Sequence, residues 1–161
     1  MILDYYFRRP VLWDFIISLV ISIVSFLLLK RDIFVLPKVE ESYDLTGDVT
    51  NISFTMGGFI LTILTLLITF KDNSSSITKE EKKTNFRVFF DTDFYYQSVR
   101  HLQNCIKEII FIAALGFLIK LFFPESFRVY FFYYNIFGIF ITILSVGRCL
   151  LILSNILKLQ K

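Results

Sequence analysis

The sequence is poor in the residues from which most enzyme and metal sites are built. Its 161 residues include one histidine, two cysteines and six glycines. So few histidines and cysteines cannot form a cysteine-rich zinc site or a disulfide framework. The scattered glycines form neither a GxxxxGK nor a GxGxxG phosphate-binding motif. We therefore expect a non-enzymatic protein with no cofactor and no metal site.

Charged residues are also scarce, at 19% of the chain, compared with about 25% in soluble domains. The net charge of +3 is too small and too dispersed to indicate direct nucleic-acid binding. In contrast, hydrophobic residues make up 55% of the chain, and phenylalanine alone occupies 20 positions. A soluble domain of this length could not bury so much apolar surface. The expected solvent is therefore the lipid bilayer.

Apolar runs of about 20 residues indicate membrane-spanning helices. The pattern predicts an all-α fold with four transmembrane helices in an up-down bundle, forming a single membrane domain. The predicted spans are residues 11–29, 52–70, 104–123 and 129–153. An external loop (30–51) joins the first two spans. A cytoplasmic segment (71–108) joins the second and third spans, and the third helix extends into the cytoplasm.

The lysine and arginine residues predict the orientation of the chain. Twelve of the 17 lie on the side that holds both termini and the segment 71–108, which leaves five on the other side. Positively charged residues are enriched on the cytoplasmic side of membrane proteins. We therefore expect a multi-pass protein of the inner (cell) membrane with both termini in the cytoplasm.

Small and hydroxyl-bearing residues recur at alternating spacings of three and four in two of the spans. This spacing places each set on one helical face, the kind of face through which helices pack closely in lipid. The alternative is that the second-span stripe lines the pore of a homo-oligomer. The second-span stripe is Thr55, Gly58, Thr62, Thr65 and Thr69, and the fourth-span stripe includes Gly138, Thr142 and Ser145.

Two ionisable residues fall inside predicted spans, Asp14 in the first and Arg148 in the fourth. The predicted orientation places both in the cytoplasmic leaflet at similar depth. Because unpaired charges in a bilayer are costly, such residues usually face a partner or water. Two interpretations remain open. Either each side chain extends separately to the interface, or the two form a salt bridge that closes the inner end of the bundle.

Four phenylalanines lie outside the predicted spans: Phe86, Phe89, Phe90 and Phe94. Apolar side chains are costly in water unless they meet lipid or protein. They therefore predict either a helix lying on the cytoplasmic membrane surface or a contact site for a cytosolic partner. The sequence favours neither interpretation over the other.

Residues 52–70 (ISFTMGGFILTILTLLITF), followed directly by Lys71 and Asp72, resemble a segment of small multi-pass proteins from bacterial anti-phage loci. These include four-helix accessory membrane proteins of CRISPR systems and the membrane subunit of the Kiwa system. The resemblance implies a membrane component that oligomerises and works with a cytosolic partner, as an envelope-perturbing effector or as a sensor. No catalytic residues are implied.

These features together predict an oligomeric membrane effector or sensor subunit of an anti-phage defence system. Its expected partners are the lipid bilayer, further copies of the chain and a cytosolic protein. A stand-alone small channel or transporter is the first alternative function. An immunity or exclusion protein that binds another membrane protein is the second.

Overall fold

A computed structural model describes residues 6–31, 33, 38–76, 89–90, 92–123 and 127–158. Four long helices account for most of them: α1 (Pro10–Lys30), α2 (Val39–Ser76), α3 (Asp93–Phe122) and α4 (Arg128–Lys158). These ranges contain no β-strand. The predicted all-α fold class is therefore confirmed.

Three of the helices are long and apolar enough to cross a membrane. They are α1, the part of α2 over Glu40–Asp72, and the part of α4 over Tyr130–Lys158. α3 is not one of the three, and it carries Lys107 and Glu108 near its middle. Large apolar side chains cover the outward faces of the bundle, as expected for helices surrounded by lipid. The fold is that of a membrane protein.

α2 begins earlier than the hydropathy pattern predicted, so most of the predicted external loop (30–51) is helical. The first turn contains Glu40 and Glu41, whose negative charges favour a helix N-terminus. The Lys38 backbone N–H donates to the Glu41 carboxylate at 3.1 Å, as in a capping box. Both ends of the predicted cytoplasmic segment (71–108) are also helical and belong to α2 and α3. Residues 77–88 and 91 lie outside the described residues.

The core lies between α2, α3 and α4, and α1 packs on the outside of this group, mainly against α4. The larger apolar cluster joins Ile60 and Leu64 of α2 to Leu102 and Ile109 of α3 and to Ile152 of α4. Each of these side chains is buried, and together they hold the three helices in register. This arrangement positions the polar residues described below.

The backbone of α3 approaches its neighbours closely at Gly116. A Cβ atom there would clash with the Thr50 hydroxyl and would lie 2.5 Å from the hydroxyl oxygen of Tyr134. Tyr134 cannot withdraw freely because its hydroxyl donates to the Ile112 carbonyl at 2.6 Å. We therefore expect Gly116→Ala to lower the free energy of unfolding by about 1–3 kcal/mol through overpacking.

Denaturant unfolding in detergent tests this expectation, with Gly147→Ala as the matched control. A Cβ atom on Gly147 would meet no atom within 4 Å, so the control should stay close to the wild type. Equal stability of the two variants would contradict the close approach at Gly116.

Candidate functional site

Three buried charged side chains join α1, α3 and α4, and we call them the charge cluster. Arg148 of α4 lies between Asp14 of α1 and Glu108 of α3. Its Nη1 is 2.8 Å from an Asp14 carboxylate oxygen, and its Nη2 is 2.5 Å from a Glu108 carboxylate oxygen. None of the three side chains is more than 8% exposed. The structure thus brings Asp14 and Arg148 together in a salt bridge and adds Glu108 to them.

Two hydroxyl groups and a thiol form hydrogen bonds with the charge cluster. The Tyr6 hydroxyl donates to the second Asp14 carboxylate oxygen at 2.5 Å, and Ser145 donates to Glu108 at 2.5 Å. The Nε of Arg148 donates to the Cys105 sulfur at 3.2 Å. Burial, followed by the hydrogen bond to Asp14, raises the pKa of Tyr6, which precedes α1. The phenol therefore stays protonated and remains a donor.

The charge cluster has more negative than positive groups. Two carboxylates and one guanidinium sum to a formal charge of −1 when all three are ionised. One oxygen of Glu108 has no hydrogen-bond partner in the described part of the chain. A cavity of about 380 Å³ lies beside the cluster, bounded by Asp14 and Glu108 and by apolar residues that include Phe111 and Ile141. Because each charge is buried, the stability of the cluster depends on all three being present.

The charge cluster is also the main polar attachment of α1. This helix buries only Pro10, Asp14 and Ser18 and exposes most of its apolar residues. Its other contacts with α4 include the edge-on ring pair Phe15–Phe137, with centroids 5.0 Å apart. Asp14 therefore joins α1 to α4 through a buried ion pair.

The fourth-span stripe faces the interior of the bundle. Thr142 is 8% exposed and Ser145 is fully buried. The Thr142 hydroxyl lies 3.1 Å from the Ser53 hydroxyl of α2. A Cβ atom on Gly138 would be 3.1 Å from a methyl group of Val49, so the glycine allows close contact with α2. This stripe is a helix-packing face.

A buried amide strengthens the same contact between α2 and α4. Asn135, at the start of the fourth-span stripe, accepts a hydrogen bond from the Thr46 hydroxyl at 2.9 Å. Its amide group donates to the Ser42 carbonyl, also at 2.9 Å. Interhelical hydrogen bonds of this kind stabilise helix pairs in lipid by about 0.6–2 kcal/mol each.

The second-span stripe faces outward instead. Thr55, Gly58, Thr62, Thr65 and Thr69 all lie on the exposed surface of α2. Each threonine hydroxyl donates to the carbonyl four residues before it, at 2.9 to 3.0 Å. A Cβ atom on Gly58 would meet no atom within 4 Å. Within one chain, this stripe is therefore neither a core packing face nor the lining of an internal channel.

Two of the phenylalanines predicted to contact a partner are core residues. Phe89 and Phe90 are 2% and 3% exposed. Both rings contact Tyr95, with centroid separations of 5.8 Å and 5.5 Å. These two side chains are therefore covered by the chain itself, and their contact with a partner stays a prediction. Phe94 is 39% exposed, and Phe86 lies outside the described residues.

Sequence reasoning selected Asp14 and Arg148 but missed Glu108. A signal was present, because Glu108 lies three residues after Cys105 and four before Ile112, both of which are buried on α3. A carboxylate on a buried helical face needs a cationic partner. Tyr6 precedes the first span, and nothing in its spacing indicated a contact with Asp14.

Neither a protein-family model nor a curated protein nor a solved structure matches this chain.

Proposed function

We propose that this protein is a non-enzymatic membrane subunit that crosses the bilayer four times and assembles into a homo-oligomer through the second-span stripe. It acts as an effector or sensor together with a soluble partner on the cytoplasmic side. Anti-phage defence is the setting implied by the resemblance of residues 52–70. The observation that carries the proposal is the outward orientation of the second-span stripe.

In this proposal α3 crosses the membrane together with α1, α2 and α4. It packs against α2 and α4, both of which are long and apolar enough to cross a membrane. Ile109, Ile112 and Ala113 of α3 are fully buried. A bilayer that surrounds α2 and α4 therefore also surrounds this part of α3. The ion pair with Arg148 offsets the cost of placing the Glu108 carboxylate at the edge of the bilayer.

Contacts between the helices support an up-down arrangement of the four spans. Asp14, near the start of α1, pairs with Arg148, whereas the ring of Phe26, near its end, contacts Tyr133 edge-on. The helices α1 and α4 therefore run in opposite directions. Two further helix pairs behave in the same way. The contacts are Phe54–Phe117 and Lys71–Tyr96 for α2 with α3, and Ile112–Tyr134 and Glu108–Ser145 for α3 with α4.

The charge distribution supports cytoplasmic termini. An up-down bundle places the start of α1, the end of α4 and the connection between α2 and α3 on the same side. Twelve of the 17 lysine and arginine residues lie on that side. This excess corresponds to the cytoplasmic side under the positive-inside rule.

Self-association follows from the composition of the second-span stripe. Helices in lipid associate through close packing at small residues, because the apolar side chains gain little from leaving the lipid. The fourth-span stripe has the same spacing and packs within the protomer. The second-span stripe is exposed and packs on no other helix in the described part of the protomer. Since its hydroxyls already bond to their own helix, a second copy of α2 can pack there without leaving a donor unpaired.

Cysteine cross-linking in native membranes tests this assembly. We expect Thr62→Cys to form a disulfide-linked dimer under mild oxidation, because a close seam brings facing Cα atoms within about 7 Å. Leu19→Cys, on the exposed face of α1, is the matched control and should remain monomeric on a non-reducing gel. The native Cys105 and Cys149 are buried and contribute no cross-link. Similar dimer yields from both variants, or none from either, would contradict an α2 seam.

A stand-alone channel is the second candidate function, and the hydroxyl groups of the second-span stripe favour it. Arranged around the axis of an oligomer, these hydroxyls would line a polar path. Ion flux through liposomes that contain the purified protein alone separates the two functions. Ion flux supports the stand-alone channel, whereas liposomes that stay impermeable to ions support a subunit that needs its partner.

A further inference from the structure

A second cavity, of about 860 Å³, lies between the beginning of α1 and the first half of α3. It is lined by Arg8 and Arg9, which directly precede α1, and by Arg100 of α3. Further along α1, its wall is apolar and includes Leu12 and Phe15. Because α1 runs from this end into the bilayer, the basic side chains lie at the membrane surface and the apolar wall lies deeper.

No described acidic residue neutralises the positive charge at this cavity. Within the described ranges, no acidic side chain forms an ion pair with Arg8, Arg9 or Arg100. α1 has no side-chain cap at its N-terminus and no acidic residue in its first turn. The dipole of α1 places a partial positive charge at this end of the helix. This end of the cavity therefore favours an anion.

His101 supplies a further polar group to the cavity wall. Its ring contacts Phe7 edge-on, with centroids 5.5 Å apart, and its Nδ1 atom is buried with no hydrogen-bond partner among the described residues. Burial, followed by the charges of Arg148 and Arg100, lowers the pKa of His101, which lies before the membrane-spanning part of α3. The neutral ring has one N–H to donate to an anionic ligand.

We propose that this cavity binds an anionic phospholipid through its phosphate group. Arg8, Arg9 and Arg100 surround the phosphate, and the exposed apolar face of α1 contacts the acyl chains. A free phosphate compound would use only the basic end, whereas Leu12 and Phe15 are 46% and 47% exposed at the depth of lipid tails. Basic pockets between helices at the cytoplasmic surface are suited to such headgroups.

The inference rests on the membrane placement proposed above, but it does not depend on self-association. Native mass spectrometry of the detergent-purified protein, titrated with phosphatidylglycerol, reports lipid binding and oligomer size in the same spectra. We expect clear binding of phosphatidylglycerol and much weaker binding of phosphatidylcholine. Soluble glycerol phosphate at the same concentration should not compete. Equal binding of the two lipids, or full competition by glycerol phosphate, would overturn the assignment to an anionic lipid.

The decisive variant is Arg8→Gln with Arg9→Gln and Arg100→Gln. All three side chains are exposed, so the fold should be unaffected. We expect affinity for phosphatidylglycerol to fall by roughly tenfold or more, because each basic group near the membrane surface contributes to anionic lipid binding. An unchanged affinity would contradict the proposed site.

The matched control is Lys30→Gln with Arg31→Gln and Lys38→Gln. It removes the same number of exposed positive charges from the opposite end of α1 and the start of α2. We expect phosphatidylglycerol affinity within about twofold of the wild type, since charges beyond a Debye length are largely screened. An equal loss in both variants would indicate diffuse charge attraction rather than a site, and would overturn the proposal. If the spectra show only monomers but lipid binding is intact, the proposed self-association is contradicted and the lipid site is still supported.

Discussion

Replacing Arg148 with leucine is expected to lower the free energy of unfolding by about 3–5 kcal/mol. The change leaves Asp14 and Glu108 buried beside each other without a counter-charge. It also removes the main polar attachment of α1. Denaturant unfolding of the detergent-purified protein measures the effect. Lys158→Leu removes an exposed charge near the end of the same helix and should change the stability by less than about 0.5 kcal/mol.

Removing all three charges together should do far less harm than removing one. A variant with Asp14→Leu, Glu108→Met and Arg148→Leu leaves no buried charge unpaired, and apolar replacements of buried ion clusters are often neutral or stabilising. We expect it to recover most of the stability lost in Arg148→Leu. Strict additivity of the single changes in a mutant cycle would mean that the three groups do not interact.

The second large effect is expected from Gly58→Leu combined with Thr62→Leu. These changes place two bulky side chains on the second-span stripe, so two α2 helices can no longer approach closely. We expect self-association to weaken roughly tenfold or more, since close packing at small residues drives helix association in lipid. Energy transfer between labelled copies in liposomes measures this association.

Protomer stability provides the internal check on that experiment. A Cβ atom on Gly58 would meet no atom within 4 Å, and Thr62 is exposed, so we expect the stability of the protomer to change little. Gly147→Leu adds one leucine side chain at another open glycine, on α4, and should leave association unchanged. A loss of association in this control, or unchanged association in the α2 variant, would contradict the proposed seam.

The helical fold and the two ionisable residues inside the spans were accessible from the sequence because they depend on strong local signals. Long apolar runs indicate α1, α2 and α4 directly. Asp14 and Arg148 stood out because charges are rare in such runs. The start of α2 at Val39 was missed because the first turns of the helix are polar. These turns pack against α4, where Thr46 donates a hydrogen bond to Asn135.

The orientation of α2 about its own axis was beyond the sequence pattern. Its buried face also alternates by three and four, through Ser53, Gly57, Ile60 and Leu64. The periodicity therefore could not show which of the two faces is buried, because apolar residues are as favourable in lipid as in a protein core. The contacts of Ile60 and Leu64 with the core turn the threonines outward. Tertiary packing also explains why Phe89 needs neither lipid nor a partner to cover it, since its apolar ring is buried in the protein's own core.

The central claim is that copies of this protein associate in the bilayer through α2. The most direct measurement counts copies of the fluorescently labelled wild-type protein in single complexes, by stepwise photobleaching at low density in liposomes. We expect complexes of two or more copies, which Gly58→Leu with Thr62→Leu converts to single copies. Single copies of the wild type at every density would contradict the central claim.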